Sequence, residues 1–460
     1  ADSPFVALHH EVVDWVEARR QSTAFDDSHL QVMFDQCKEL IIGLQKRGAV
    51  VGSSLNTAYL LERLSQTLER LETLMAIFVS NRYLPRRILL LTGCFARAAA
   101  ERHSISRLWK QSSGLMARSV TQNAGDHGEH YITRDKKEYW AMFYSAAGGG
   151  VLIALMALFK TYLGSIIDDK VWKGIAEGLN YGLGFMVIFM LHFTVATKQP
   201  AMTAARFAEA VEKTPQGKTV NMKLAQLLVD VFRSQSIAVL GNVLIAMGLA
   251  ALIAFGYQYK TGEPLMNADQ IAYQLHSIDP FAGTLWFAAI AGVWLFCSGI
   301  ISGYFDNRSN YLNMRMRLTQ HPLLKKLMSE KTRVKFANYM HENYGSLIGN
   351  LCFGMLLGIT GVVGYLTHLP LDIRHVAFSS ANVGYIAVSG HFTYSLLLQC
   401  IAFVLLIGLV NLIVSFSLTL WVALRSLNAE IDSWWLIWHE VCQIVKKRPL
   451  SLFLPVQLDK

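Results

Sequence analysis

Six stretches of this 460-residue sequence are apolar over a length that crosses the hydrocarbon core of a bilayer. Inside a bilayer every backbone N–H and C=O group needs a partner within the protein, so such stretches fold as α-helices. The predicted spans are 139–167, 174–197, 235–259, 281–305, 345–367 and 394–424. Their continuous hydrophobicity argues against a transmembrane β-barrel, in which apolar and polar residues alternate. The sequence predicts an all-α polytopic membrane protein with six transmembrane helices in three tandem hairpins.

The composition agrees with a membrane protein. Charged residues make up 16% of the chain, whereas a soluble protein carries roughly a quarter. Apolar residues make up 53%, a fraction that excludes an intrinsically disordered chain.

The basic residues are distributed unequally among the connections between spans. The long connections 198–234 and 306–344 carry fourteen Lys and Arg residues, and the three other connections carry four. Because basic residues accumulate in cytoplasmic loops, this bias predicts that both long connections and both chain termini are cytoplasmic. The formal charge of +9 then follows from topology. It favours membrane lipids, including anionic lipids, as partners of the basic loops, and it disfavours nucleic acid.

Three regions follow from the positions of the spans. Residues 1–137 contain no predicted span and form a cytoplasmic helical domain, residues 138–424 form the transmembrane domain, and residues 425–460 form a cytoplasmic C-terminal segment. Apolar residues at helical spacing predict helices over 5–19, 30–44 and 60–78. The six cysteines include no CxxC pair. We therefore predict no disulfide framework, no thiolate zinc site and no cofactor.

The first, third and fifth spans share a short pattern. It reads GGVLIA at 149–154, GNVLIA at 241–246 and GNLCFG at 349–354. We interpret it as a parallel repeat of helical hairpins, which differs from the inverted repeats of many transporters. The alternative is that small residues recur because close-packed membrane helices require them.

Polar residues inside the spans are candidates for a ligand cavity because they are costly in lipid. Asn180, His192, Asn242 and Asn350 all have apolar neighbours in the sequence, and the last two occupy matching repeat positions. The alternative is that these amides form helix-to-helix hydrogen bonds. No Asp or Glu is expected deep in a span, which argues against a proton relay of buried carboxylates.

Both membrane boundaries carry further candidate residues. On the inner side, Lys198, Asp306 and Arg308 are predicted to contact lipid phosphates or to form ion pairs. On the outer side, the connection 368–393 is too apolar for an exposed loop. We expect it to lie at the interface or to dip back into the protein, as a lid or a packed plug. Its candidate residues are Asp372, Arg374 and His375, the first two as an ion pair.

Several segments together resemble a known family. They read GEHYITRD at 128–135, TKQPAMTA at 197–204, YFDNR at 304–308, GNLCFG at 349–354 and PLDIRHVAFSSANVGY at 370–385. The chain is similar to Gram-negative bacterial multi-pass membrane proteins that are catalogued as site-specific recombinases. The resemblance covers about residues 120–390 and implies a location in the bacterial inner membrane.

Recombination requires an activated nucleophile beside cationic groups that stabilise charge on the phosphate. The nearest candidate is Tyr131, with His127, His130 and Arg134 beside it. These residues directly precede the first span, where duplex DNA has poor access. The two His and two acidic residues in 126–130 match no compact zinc motif, so we predict no metal there.

We therefore favour a membrane protein that binds or passes a small or lipid-like ligand in its helical bundle. A scaffold for envelope protein partners and a DNA-processing recombinase are the two alternatives.

Overall fold

The computed structural model describes most of the chain as α-helices. The described residues are 3–21, 23, 27–51, 55–79, 84–101, 132–133, 135–195, 211, 218–427, 431 and 433–455. Within these ranges the secondary structure is helical without strands. The prediction of an all-α fold is confirmed.

Among the described residues, four helices precede the apolar region, one more than the spacing predicted. They are α1 (Pro4–Arg20), α2 (Asp27–Val51), α3 (Leu55–Val79) and α4 (Leu84–Glu101). The first three pack through one apolar core, formed by Leu8, Trp15, Leu30, Phe34, Cys37, Ile41, Leu68 and Met75. An ion pair joins α2 to α3, in which Lys38 Nζ lies 2.8 Å from Glu72 Oε2.

Six longer helices and five shorter ones form the rest of the described fold. They are α5 (Lys136–Ile166), α6 (Lys170–Met190), α7 (Lys218–Thr261), α8 (Ala268–Ile278), α9 (Thr284–Tyr311), α10 (Met314–Gln320), α11 (Pro322–Leu327), α12 (Glu330–Thr367), α13 (Val376–Ser389), α14 (Tyr394–Leu427) and α15 (Trp434–Lys447). Among the described residues, five helices are long and apolar enough to cross a membrane, namely α5, α7, α9, α12 and α14. The helix α6 is not among these five, and α13 is apolar but short.

Exposed aromatic residues mark both ends of α5. Trp140 and Tyr144 are exposed at one end and Tyr162 at the other. At 1.5 Å per residue, Trp140 and Tyr162 are separated by about 33 Å along the helix, close to the thickness of a hydrocarbon core. Such aromatic residues concentrate at the two membrane interfaces.

The helices α5 and α7 run in the same direction, so the repeated segments at 149–154 and 241–246 lie side by side. A Cβ added to Gly150 would meet the backbone of Asn242 and Ala246. Nearer the start of both helices, Thr133 Oγ1 lies 2.9 Å from Ser234 Oγ. Gly150, in the first copy of the pattern, therefore allows α7 to approach α5 closely.

The helix α6 packs antiparallel on α12 through facing glycines. Gly174, Gly178 and Gly182 recur every four residues on α6, opposite Gly354 and Gly358 of α12. A Cβ on Gly354 would overlap the backbone of Gly182, and a Cβ on Gly358 would overlap that of Gly178. Such small-residue stripes let membrane helices approach closely without a hydrophobic driving force.

The second span ends earlier than its hydropathy predicted. The helix α6 stops at Met190, and His192 takes a left-handed conformation with φ 59°. The chain then turns onto α5, where Thr194 N donates to Ser145 O at 3.1 Å. Hydropathy did not detect this turn because the residues after Met190 remain apolar.

The connection 368–393 dips back into the protein. Its first part is extended to His375, and the rest forms α13, in which most side chains are buried. The helix packs against α5, α7 and α14. Gly384 allows close contact with Met247 O of α7. The connection 368–393 is therefore a re-entrant segment packed inside the protein. This is one of the two predicted arrangements, the other being a position at the membrane interface.

The long basic connections lie at one end of the membrane domain, which we call the basic side. A small, separate apolar core lies at this end. It joins α7, α14 and α15 through Leu224, Ala225, Val229, Leu420, Ala423, Ile437 and Val441. The buried Arg233 holds this unit to the start of α5. Its Nη2 donates to Thr133 O at 2.6 Å and to Asp230 Oδ1 at 2.9 Å, and its Nη1 donates to Ser451 O at 3.4 Å.

Candidate functional site

The first hairpin places two opposite charges against each other within the membrane domain. The helices α5 and α6 are joined by a three-residue connection, and Asp169 caps α6 by accepting from Val171 N and Trp172 N. Lys160 lies eight residues before Asp168, the middle of this connection, and Glu177 lies nine residues after it, so an antiparallel hairpin brings them together. Lys160 Nζ lies 3.4 Å from Glu177 Oε2.

The aromatic ring of Tyr181 completes what we call the ion-pair cluster, formed by Lys160, Glu177 and Tyr181. Lys160 Nζ lies 5.5 Å from the centroid of the buried Tyr181 ring, a cation–π arrangement. The side chain of Glu177 is 14% exposed and that of Lys160 is 37% exposed. The ion pair therefore lies in a partly buried position between the two helices.

A row of aromatic rings links this cluster to the start of α13. The rings of Tyr181 and Phe378 are 4.4 Å apart, and Phe378 is 6.0 Å from His375. Phe353 of α12 and Phe185 of α6 also flank the imidazole, at 5.8 Å and 6.3 Å. His375 is thus buried among aromatic side chains where the extended part of the re-entrant segment becomes helical.

Backbone carbonyls of α5 near the cluster accept two side-chain hydrogen bonds. Asn180 Nδ2 donates to Met156 O at 2.9 Å, and Tyr385 Oη of α13 donates to Ala154 O at 2.9 Å. The first bond holds α6 against α5, the helix that carries Lys160, and the second bond holds α13 against it.

The extended part of the re-entrant segment is held by charges and by a buried amide. Arg374 Nη1 lies 2.6 Å from Asp372 Oδ2, which is the ion pair expected from the sequence. Arg374 Nε also donates to Ser277 O at 2.8 Å. Asn411 of α14 donates to Ala288 O at 2.7 Å and to Arg374 O at 3.0 Å, and accepts from Val376 N at 3.2 Å.

The candidate cavity residues lie in different places. Asn180 is next to the ion-pair cluster, one turn after Glu177. Asn242 is fully buried between helices and donates to Ala146 O and, at 3.0 Å, to Thr194 O. Asn350 donates to Ser346 O at 2.7 Å. His192 is exposed in the turn after α6, and its carbonyl accepts from Ser145 Oγ. A shared role for the four in ligand binding stays a prediction.

The inner-interface candidates are only partly described. Asp306 Oδ1 accepts from Gly345 N at 2.9 Å, which ties α9 to α12. Arg308 is exposed in the last turn of α9. Lys198 lies outside the described residues, as do His127, His130, Tyr131 and Arg134. Within the part of the chain that the structure describes, no three His, Cys, Asp or Glu side chains are grouped to hold a metal ion.

The sequence did not indicate Lys160 and Glu177 as a pair, and it indicated Asn411 only as a polar residue inside a predicted span. Glu177 lies two turns inside α6 and is the fourth residue of the predicted span 174–197, which places it near one end of that span. The signal in the sequence was the nearly equal spacing of Lys160 and Glu177 about the short connection. The partners of Asn411 are distant in sequence and required the fold.

The fold and these buried charges define an all-helical polytopic membrane protein with ionisable groups inside its bundle. The chain belongs to the site-specific recombinase family, whose family model matches residues 1–455. No curated protein and no solved structure matches the chain.

Proposed function

We propose that the membrane domain binds a small or lipid-like ligand with a charged group at the ion-pair cluster. The observation that carries this proposal is the Lys160–Glu177 pair between two helices of the membrane domain. Charged side chains are costly in membrane helices and usually mark a site of function.

The geometry of the pair favours a ligand over a purely structural role. The distance of 3.4 Å exceeds the roughly 2.7–2.9 Å of a tight charge-assisted hydrogen bond. Lys160 therefore keeps capacity to bind a carboxylate or phosphate group of a ligand. The aromatic row from Tyr181 to His375 offers an apolar surface beside that charge.

The test is to identify what co-purifies with the gently extracted protein by native mass spectrometry. We expect the wild-type protein to retain a small molecule or lipid that Lys160→Met loses. Lys170→Met is the matched control, because Lys170 lies on the same hairpin, 4.3 Å from the Tyr365 ring, and should leave retention unchanged.

A double variant separates binding from folding. Removing one member of this partly buried pair leaves the other charge unpaired, so Lys160→Met is expected to lower stability, and Lys160→Met with Glu177→Leu to restore it. The double variant should fold stably and should still fail to retain the ligand. Equal retention by all variants would contradict the proposal. Co-purifying proteins without a small molecule would favour the scaffold alternative.

The name of the family supports DNA recombination as a second candidate function. Tyr131 is its best nucleophile by residue type. If the protein cleaves DNA through a tyrosine, Tyr131→Phe should abolish strand cleavage at unchanged expression. The ligand proposal predicts that neither the wild-type protein nor Tyr131→Phe cleaves DNA.

A further inference from the structure

The C-terminal helix α15 has an exposed tryptophan face. Trp435 is 78% exposed and Trp438 is 61% exposed, and Trp434 beside them is also exposed. On the face next to this flank, Ile437 and Val441 are buried against the basic-side core. The helix is thus anchored to the protein while its tryptophans remain on the surface.

The exposed tryptophans share one flank of the helix. At about 100° per residue, Trp434, Trp435 and Trp438 fall within an arc of roughly 100°. The exposed Lys446 lies at the border of this arc, and Gln443 lies beyond it on the polar side. An apolar, tryptophan-rich flank next to basic residues is the pattern of a helix that lies in the membrane interface.

The position of α15 fixes which surface this flank meets. The spanning helix α14 ends at Leu427, and α15 begins at Trp434 and packs on α7 at the basic side. It therefore lies where the chain leaves the bilayer. Lys446, Lys447 and Arg448 follow at its end and are exposed.

We propose that α15 is a lipid-binding site that inserts its tryptophan flank into the adjacent leaflet and binds anionic phospholipid headgroups through Lys446, Lys447 and Arg448. Indole rings are favoured at headgroup level, which accounts for three large exposed side chains. The basic residues complement the charge of an anionic leaflet.

The depth of the helix tests insertion. The full chain, with the exposed Cys94 and Cys442 replaced by Ser, is reconstituted in nanodiscs of phosphatidylcholine with phosphatidylglycerol. A spin label is placed by Trp435→Cys, and in a matched control by Gln443→Cys. We expect the label at position 435 to collide mainly with oxygen in the bilayer, and the label at 443 mainly with a water-soluble nickel complex. Equal nickel accessibility at both positions would overturn insertion and leave this face to a protein partner.

The charge dependence tests headgroup binding. Native mass spectrometry measures the phosphatidylglycerol retained by Lys446→Gln with Lys447→Gln. Each basic residue near an anionic surface contributes about 1 kcal/mol, so retention should fall roughly fivefold per residue removed. Arg63→Gln with Arg70→Gln, both exposed on α3 and outside the basic connections, is the control for unspecific charge loss. Retention that is unchanged, or lowered equally by the control, would overturn the proposal.

Discussion

One residue, Asn411, stabilises the re-entrant segment 368–393. Its amide is fully buried and bridges α9, α14 and the first residue of α13. Replacing it leaves buried backbone groups without a partner, and each such loss costs about 1–3 kcal/mol.

We expect Asn411→Ala to lower the unfolding temperature of the detergent-solubilised protein and to increase hydrogen exchange in α13. The matched control is Gln399→Ala, because Gln399 is an exposed amide on the same helix. If the two variants behave alike, the bridging role of Asn411 is wrong.

At the scale of elements, the contact between α6 and α12 depends on the absence of side chains. A Cβ on Gly358 would overlap backbone atoms of Gly178. Since backbone moves less easily than a side chain, we expect Gly358→Ala to destabilise the protein by about 1–3 kcal/mol. Gly361→Ala on the same helix meets only Asp372 Oδ1 at 4.0 Å and should be tolerated. Thermal unfolding of both variants measures the difference.

The contact between α2 and α3 gives a pH prediction. Hydrogen bonding from Lys38 holds the pKa of the Glu72 carboxyl below its usual value. A lowered folded-state pKa contributes stability at neutral pH that is lost as the pH falls through that pKa. Because the pair is partly exposed, the contribution is about 0.5–1 kcal/mol.

Glu72→Gln should therefore increase hydrogen exchange in α2 and α3 at neutral pH, and the difference from wild type should vanish in acid. A difference that persists below the pKa of Glu72 would mean that packing, and not charge, holds the two helices.

At the scale of the whole molecule, the basic connections predict which side faces the cytoplasm. Lys326 is exposed in the basic connection 306–344, and Glu263 is exposed beyond the opposite end of α7. In a background with the exposed Cys94 and Cys442 replaced by Ser, a membrane-impermeant maleimide applied to intact cells should label Glu263→Cys and should not label Lys326→Cys. If the label instead reacts on the basic side and not at position 263, the predicted topology is wrong.

The helical class and three of the four described N-terminal helices were predictable from local features of the sequence, and for 368–393 the sequence predicted burial in the protein as one of two arrangements. Apolar length and period determine whether a segment is a helix in lipid, and these are properties of consecutive residues. The end of α6 was not predictable, because the left-handed turn at His192 lies in an apolar run.

The sequence by itself determined that the chain is a helical membrane protein with charge concentrated on one side, because burial in lipid acts on each segment separately. Only the tertiary structure decided which polar groups meet. Lys160 and Glu177 pair through a hairpin, and Asn411 reaches α9 and α13 across more than thirty residues of sequence. Such contacts depend on how the helices pack, and packing is set by small residues and hydrogen bonds between segments that are distant in the chain.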